Sequence, residues 1–195
     1  MGTVKVTNLE PISGGGTLTV GASGDTITFP AGVTVTNNGT QTGFGGTNTP
    51  RFLARKTSDQ SIASATATKV TFDVEHYDTG VFDLANNKFT VPSEEAGIYM
   101  LYAGIRNNFN APSVGTYSEG ILYLNGTRLV ITSLDFRNTY GGYANSLTMS
   151  VALNLSVGDY VEAYANIDVN NGGTPAVTGH ASEYRTYFGG YKIIE

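Results

Sequence analysis

The stretch FTVPSEEAGIYMLYAGI, Phe89 to Ile105, constrains this chain more than any other. Its second half alternates with a period of two, the repeat of a β-strand. Ile98, Met100 and Tyr102 fall on one face; Tyr99, Leu101, Ala103 and Ile105 fall on the other. Both faces are apolar. A strand of this kind needs a layer on each side, and one of those layers is open to a second copy of the chain. The Pro-Ser-Glu-Glu-Ala-Gly turn just before it ends one edge and aims the next strand inward.

The rest of the chain suits strands as well. Short apolar alternations are punctuated by Gly, Asn, Pro and Asp: RFLARKT, TKVTFDVEHYD, FTVP, GIYMLYAGIR, GILYLNGTRLVITS, NSLTMSVALNLS, DYVEAYANI and TYFGGYKII. No helical stripe interrupts them, and the pattern predicts a β-sandwich or barrel. Asn125-Gly126 is a strong signal for a type I′ hairpin, and Gly158-Asp159 marks a second tight turn.

Residues 1–50 differ in texture from residues 51–195. Gly and Thr make up nearly half of them, and only Lys5, Glu10 and Asp25 are charged. TLTV, TITF and VTVT read as three short strands with one narrow apolar stripe each: Leu18 with Val20, Ile27 with Phe29, Val33 with Val35. A sheet this small cannot bury its own apolar face. It needs two symmetry copies or the body of a larger particle; the other reading is a linker. GFGGTNTPR, 43–51, has the composition of a hinge.

Composition excludes several classes. Charged residues are 14% of the chain, against about 25% in ordinary soluble domains. Thr, Ser, Asn and Gly must therefore cover the surface, as on an extracellular or virion-like particle. A net charge of −5 without a basic cluster argues against nucleic-acid binding. There is no cysteine, so disulfides and thiolate chemistry are excluded. No signal-peptide pattern opens the sequence, and no apolar run approaches the ~18 residues of a membrane span. The expectation is a soluble chain made in a host cytoplasm, without membrane insertion.

The case for catalysis is thin, and no cofactor is expected. His76 and His180 share no metal-binding spacing. Asp73 with Glu75 and Glu94 with Glu95 are sequence neighbours, not carboxylates placed across a cleft. Asp73, Glu75, Asp78 and Asp83 offer calcium-type oxygen ligands, with solvated loop acids as the alternative.

The order of features resembles a known group. Phe72, Asp73, Gly80, Phe89, Pro92, Gly97 and Tyr99 lie at positions similar to a pattern of the complement-1q globular heads. The match continues through Asn125-Gly126, Leu155, Gly158-Asp159, Val161, Phe188 and Gly190. VPSEEAGIYMLY and TYFGG resemble a core strand and the final strand of the related tumour necrosis factor fold. The resemblance covers about residues 51–195. It implies a ten-strand, all-β jelly roll assembled as a homotrimer, with residues 1–50 as an anchor or short stalk in place of a collagen stem. It also implies that Tyr102 and Tyr187 face the neighbouring subunits, and Met100 shares the strand face of Tyr102.

The function expected is a non-enzymatic structural protein of a phage virion: a capsid decoration, a head fibre or a tail-fibre knob. Its partners would be itself and capsid or tail proteins. The alternative is a receptor module for host glycans, with Tyr117, Tyr140 and Tyr143 in or beside Gly-rich loops as contact residues. A glycan-cleaving spike enzyme is a third reading.

Overall fold

The computed structural model describes residues 17–36, 38, 48–112, 114–137, 142–170 and 172–193. It divides into two compact units, Met1–Phe44 and Gly45–Glu195.

The second unit is a sandwich of two antiparallel sheets, with no helix among the described residues. The larger sheet holds β1 (Arg51–Arg55), β2 (Gln60–Ser61), β4 (Val74–Asp78), β7 (Gly97–Asn108), β10 (Ala144–Leu155), β12 (Ala176–Val177) and β13 (Tyr187–Lys192). The smaller holds β3 (Thr68–Lys69), β5 (Phe82–Asp83), β6 (Lys88–Thr90), β8 (Gly115–Leu124), β9 (Thr127–Asp135) and β11 (Tyr160–Val169). β7 is central in the larger sheet, between β10 on one edge and β12 and β13 on the other. In the smaller sheet β11 pairs with β8, and β8 with β9.

The alternation in Phe89–Ile105 is realised as expected. Tyr99, Leu101, Ala103 and Ile105 are buried in the core between the sheets, whereas Ile98, Met100 and Tyr102 are half-buried on the outward face. Phenylalanines from both sheets fill the centre. Phe52 of β1 stacks on Phe82 and Phe89 at 5.1 and 5.0 Å and meets Phe188 edge-on at 4.9 Å.

Three expectations are corrected. TKVTFDVEHYD is not one strand: Thr68–Lys69 pairs with β11 in one sheet and Val74–Asp78 with β1 in the other. The chain crosses between layers at 70–73, where the Phe72 amide donates to Asn87 Oδ1 at 2.5 Å. The DYVEAYANI strand runs further than expected, because β11 continues to Val169. In the first unit, TLTV, TITF and VTVT carry no β-ladder among the described residues. Turns close at Ala22–Asp25 and Pro30–Val33, and the apolar side chains of all three segments are exposed. The 43–51 hinge lies largely outside the described residues.

The hairpin signal holds. Asn125 and Gly126 both have positive φ, 51° and 78°. Asn125 also ties this turn to the next one, donating to Asp159 at 2.8 Å and accepting from the Tyr160 amide at 2.9 Å. A Cβ at Gly126 would meet only the Tyr160 hydroxyl, at an ordinary 3.5 Å. Gly126→Ala therefore has room and suffers only the backbone penalty. Its expected cost is about 1 kcal/mol in a denaturant titration; no measurable loss would rule out the I′ geometry.

Candidate functional site

Two surfaces stand out, one on the outward face of each sheet. On the larger sheet the register sets Tyr187 opposite Gly104 and Tyr102 opposite Gly189. Each glycine makes room for the tyrosine beside it. A Cβ at Gly104 would lie 2.5 Å from the Tyr187 ring, and one at Gly189 would lie 2.6 Å from the Tyr102 ring. The two rings thus lie down across the sheet, 6.3 Å apart. The Tyr102 hydroxyl meets that of Tyr77 at 3.2 Å. Burial, followed by the Tyr77 hydroxyl, pushes the Tyr102 phenol well above its ordinary range. Met100 sits opposite Tyr191. The centre of the face is thus Leu53, Tyr77, Met100, Tyr102, Tyr187 and Tyr191, with no charge among them. A hollow of about 320 Å³ opens beside Tyr187, bordered by Arg106, Ser146, Thr148, Tyr184 and Arg185.

On the smaller sheet the register builds rows of polar side chains. Asp135, Tyr117 and Asp168 are abreast on β9, β8 and β11; Ser133, Glu119 and Asn166 form the next row. Glu119 is 5% exposed. It accepts from Tyr117 Oη, from Arg128 at 2.8 Å and from Asn166 Nδ2 at 3.0 Å. Burial pushes its carboxyl up, but those hydrogen bonds and the Arg128 charge outweigh it and hold the pKa below the usual value. Asp168 accepts from Thr116 Oγ1 at 2.5 Å and from Ser64 Oγ at 3.1 Å. Arg137 chelates Asp135, whose pKa falls to about 2 chiefly through that side-chain pairing. Tyr117, Asn166, Asp168, Arg137 and Ala65 line an open depression of about 360 Å³.

The sequence reading placed Tyr102, Tyr187 and Met100 on one surface, and the fold brings them together. It named Tyr117 for a second surface but missed Asp168, Asn166 and Arg137, which join it only through cross-strand register. Tyr143 is exposed and is not among the residues lining the depression; Tyr140 lies outside the described residues. Of the acids considered for calcium, Asp78 and Asp83 close their own turns, Asp73 holds the 57–58 segment, and Glu75 is exposed on β4. Asp73 accepts from Thr57 and Ser58, Asp78 from Gly80, Val81 and Phe82, and Asp83 from Asn86. Glu95 pairs with Lys192 at 2.9 Å. No group of three or more potential ligands gathers for a metal among the described residues. No helix there is long and apolar enough to cross a membrane.

No protein-family model matches the sequence, and no curated protein matches it. Solved structures do. Murine APRIL at pH 5.0 aligns with a TM-score of 0.52 and 14% identity, over 73% of this chain and 98% of that one. Eiger TNF from S. frugiperda aligns at 0.51 and 12%, over 74% and 92%. The globular domain of zebrafish complement 1qA aligns at 0.46 and 14%, over 75% and 98%. The sandwich of this chain therefore has the jelly-roll fold of the tumour-necrosis-factor type.

Proposed function

We propose that this chain is a non-enzymatic, homotrimeric structural protein of a phage virion, a capsid decoration, head fibre or tail-fibre knob. One observation carries the trimer: the tyrosine patch at the centre of the larger sheet's outward face, with Arg51, Arg55 and Arg106 at its margins, outward in a single chain. A patch of four tyrosines, a methionine and a leucine is the composition of an interface core, where aromatic residues and methionine are enriched and charge is depleted. Three copies packed through it around an axis give β7 its second cover. The virion context is supported by a surface low in charge and by the first unit. Leu18, Val20, Ile27, Phe29, Val33 and Val35 are 44–59% exposed there, so that unit is suited to a stalk of three chains or an anchor on a particle.

Light scattering on the full chain and on a chain starting at Gly45 tests this. Three-chain mass in both places assembly in the sandwich. Three-chain mass in the full chain alone moves it to the first unit, and one-chain mass in both overturns the proposal. A second reading, a host-glycan-binding head, is favoured by one observation, the polar depression beside Tyr117.

A further inference from the structure

We infer that the depression beside Tyr117 binds an uncharged sugar ring through a pair of neighbouring hydroxyls; this rests on the glycan-binding reading and narrows it to a ligand class. Several groups there are fixed but not saturated. Ser64 and Thr116 each give one hydrogen bond to a different oxygen of Asp168. A carboxylate has about four acceptor positions, so Asp168 keeps acceptor capacity and a set orientation. Asn166 donates its amide to Glu119, while its Oδ1 is buried with no hydrogen-bond partner among the described residues. Arg137 is held on Asp135 through Nε and Nη2, and its Nη1 makes no hydrogen bond among the described residues. The free acceptor positions of Asp168 and the guanidinium edge match adjacent hydroxyls, each of which donates and accepts. The Tyr117 ring supplies an apolar wall for ring C–H groups.

Charge selects the class. Asp135, Asp168 and Glu119 stand against Arg137 and Arg128. Three carboxylates and two guanidiniums leave one excess negative charge, which repels sugar acids. An amino sugar would put an ammonium beside Arg137. The lining has no apolar side chain beyond Ala65 and Tyr117, so an apolar peptide anchor finds no seat. The site lies on the sheet opposite the tyrosine face and stays open in a trimer assembled through that face.

The test is saturation-transfer NMR and calorimetry on the full chain. The probes are glucose, galactose, mannose, fucose and N-acetylglucosamine, with N-acetylneuraminic acid and glucosamine as charged comparators. Saturable binding of at least one neutral sugar is expected, weakened about tenfold by Asp168→Asn and by Arg137→Ala, the scale of one charge-assisted hydrogen bond. Tyr143→Ala, away from the depression, should leave it unchanged. Arg137 is exposed, so its variant tests the site without endangering the core. Binding of charged sugars alone overturns the inference and leaves the glycan-binding reading standing. Neutral-sugar binding indifferent to both variants places the site elsewhere. No binding by any probe removes both.

Discussion

Tyr102→Asp is expected to reduce the native mass from the proposed three chains to one while the sandwich stays folded. Tyr102 is only half-buried in the single chain, on the outward face of β7. A carboxylate there keeps contact with water as long as the chain is alone, so the monomer loses the ring's cover of Gly189 and its contacts with Tyr77 and Tyr187 but acquires no unpaired buried charge. In the proposed trimer the same position is covered. Each unpaired buried carboxylate then costs several kcal/mol, and three would face one axis. Tyr102→Phe is the control. It removes the hydroxyl but keeps the ring lying over Gly189, and it should remain a trimer. Light scattering and far-UV circular dichroism on both variants decide the matter. Three-chain mass with an unchanged melting temperature in the aspartate variant would take Tyr102 out of the interface.

The two surfaces were unequally legible, for a physical reason. The tyrosine face was written into strand parity: Met100 and Tyr102 two residues apart, with both sides of the strand apolar. The pairing of Tyr102 with Gly189 and Tyr187 with Gly104 depends on register between β7 and β13, which parity alone does not set. The polar depression depends on register twice. Asp135, Tyr117 and Asp168 become neighbours only once β8 has paired on both edges. Tyr117 and Asp135 share the hairpin at Asn125-Gly126, but a bulge at Leu122–Tyr123 shifts their pairing, and Asp168 is far away in the sequence on β11. The hairpin at Asn125-Gly126 was local, and so was readable. The crossing at 70–73 was not, since a strand alternates in the same way in either sheet. The first unit misled in the opposite direction. TLTV, TITF and VTVT have the alternation of strands, but a ladder needs a partner backbone, and none forms among the described residues of one chain.

Phe52→Ala has the largest expected cost inside the sandwich. Phe52 is 1% exposed and bridges the layers, stacked on Phe82 and Phe89 of the smaller sheet and edge-on to Phe188 of its own. Truncating a buried phenylalanine costs about 3–5 kcal/mol through lost transfer energy and the cavity left behind. Four rings share this cluster, and a neighbour cannot move into the gap without leaving another contact. Domains of this kind are stable by roughly 5–15 kcal/mol, so the variant is expected to lose a large share of that stability. At about 2–4 °C per kcal/mol, the melting temperature falls by roughly 6–20 °C. If the folded chain is a trimer, the midpoint also depends on protein concentration. Wild type and variant must therefore be compared at one concentration, and again at a tenfold dilution. A core defect lowers both midpoints by a similar amount while preserving the three-chain mass below the transition. Loss of mass before melting would instead show that the cluster supports the tyrosine face from beneath: Phe188 stands next to Tyr187 on β13, and Phe52 pairs across to Gly190 on the same strand. A fall of less than about 1 kcal/mol would mean that the four rings are not the joint between the sheets.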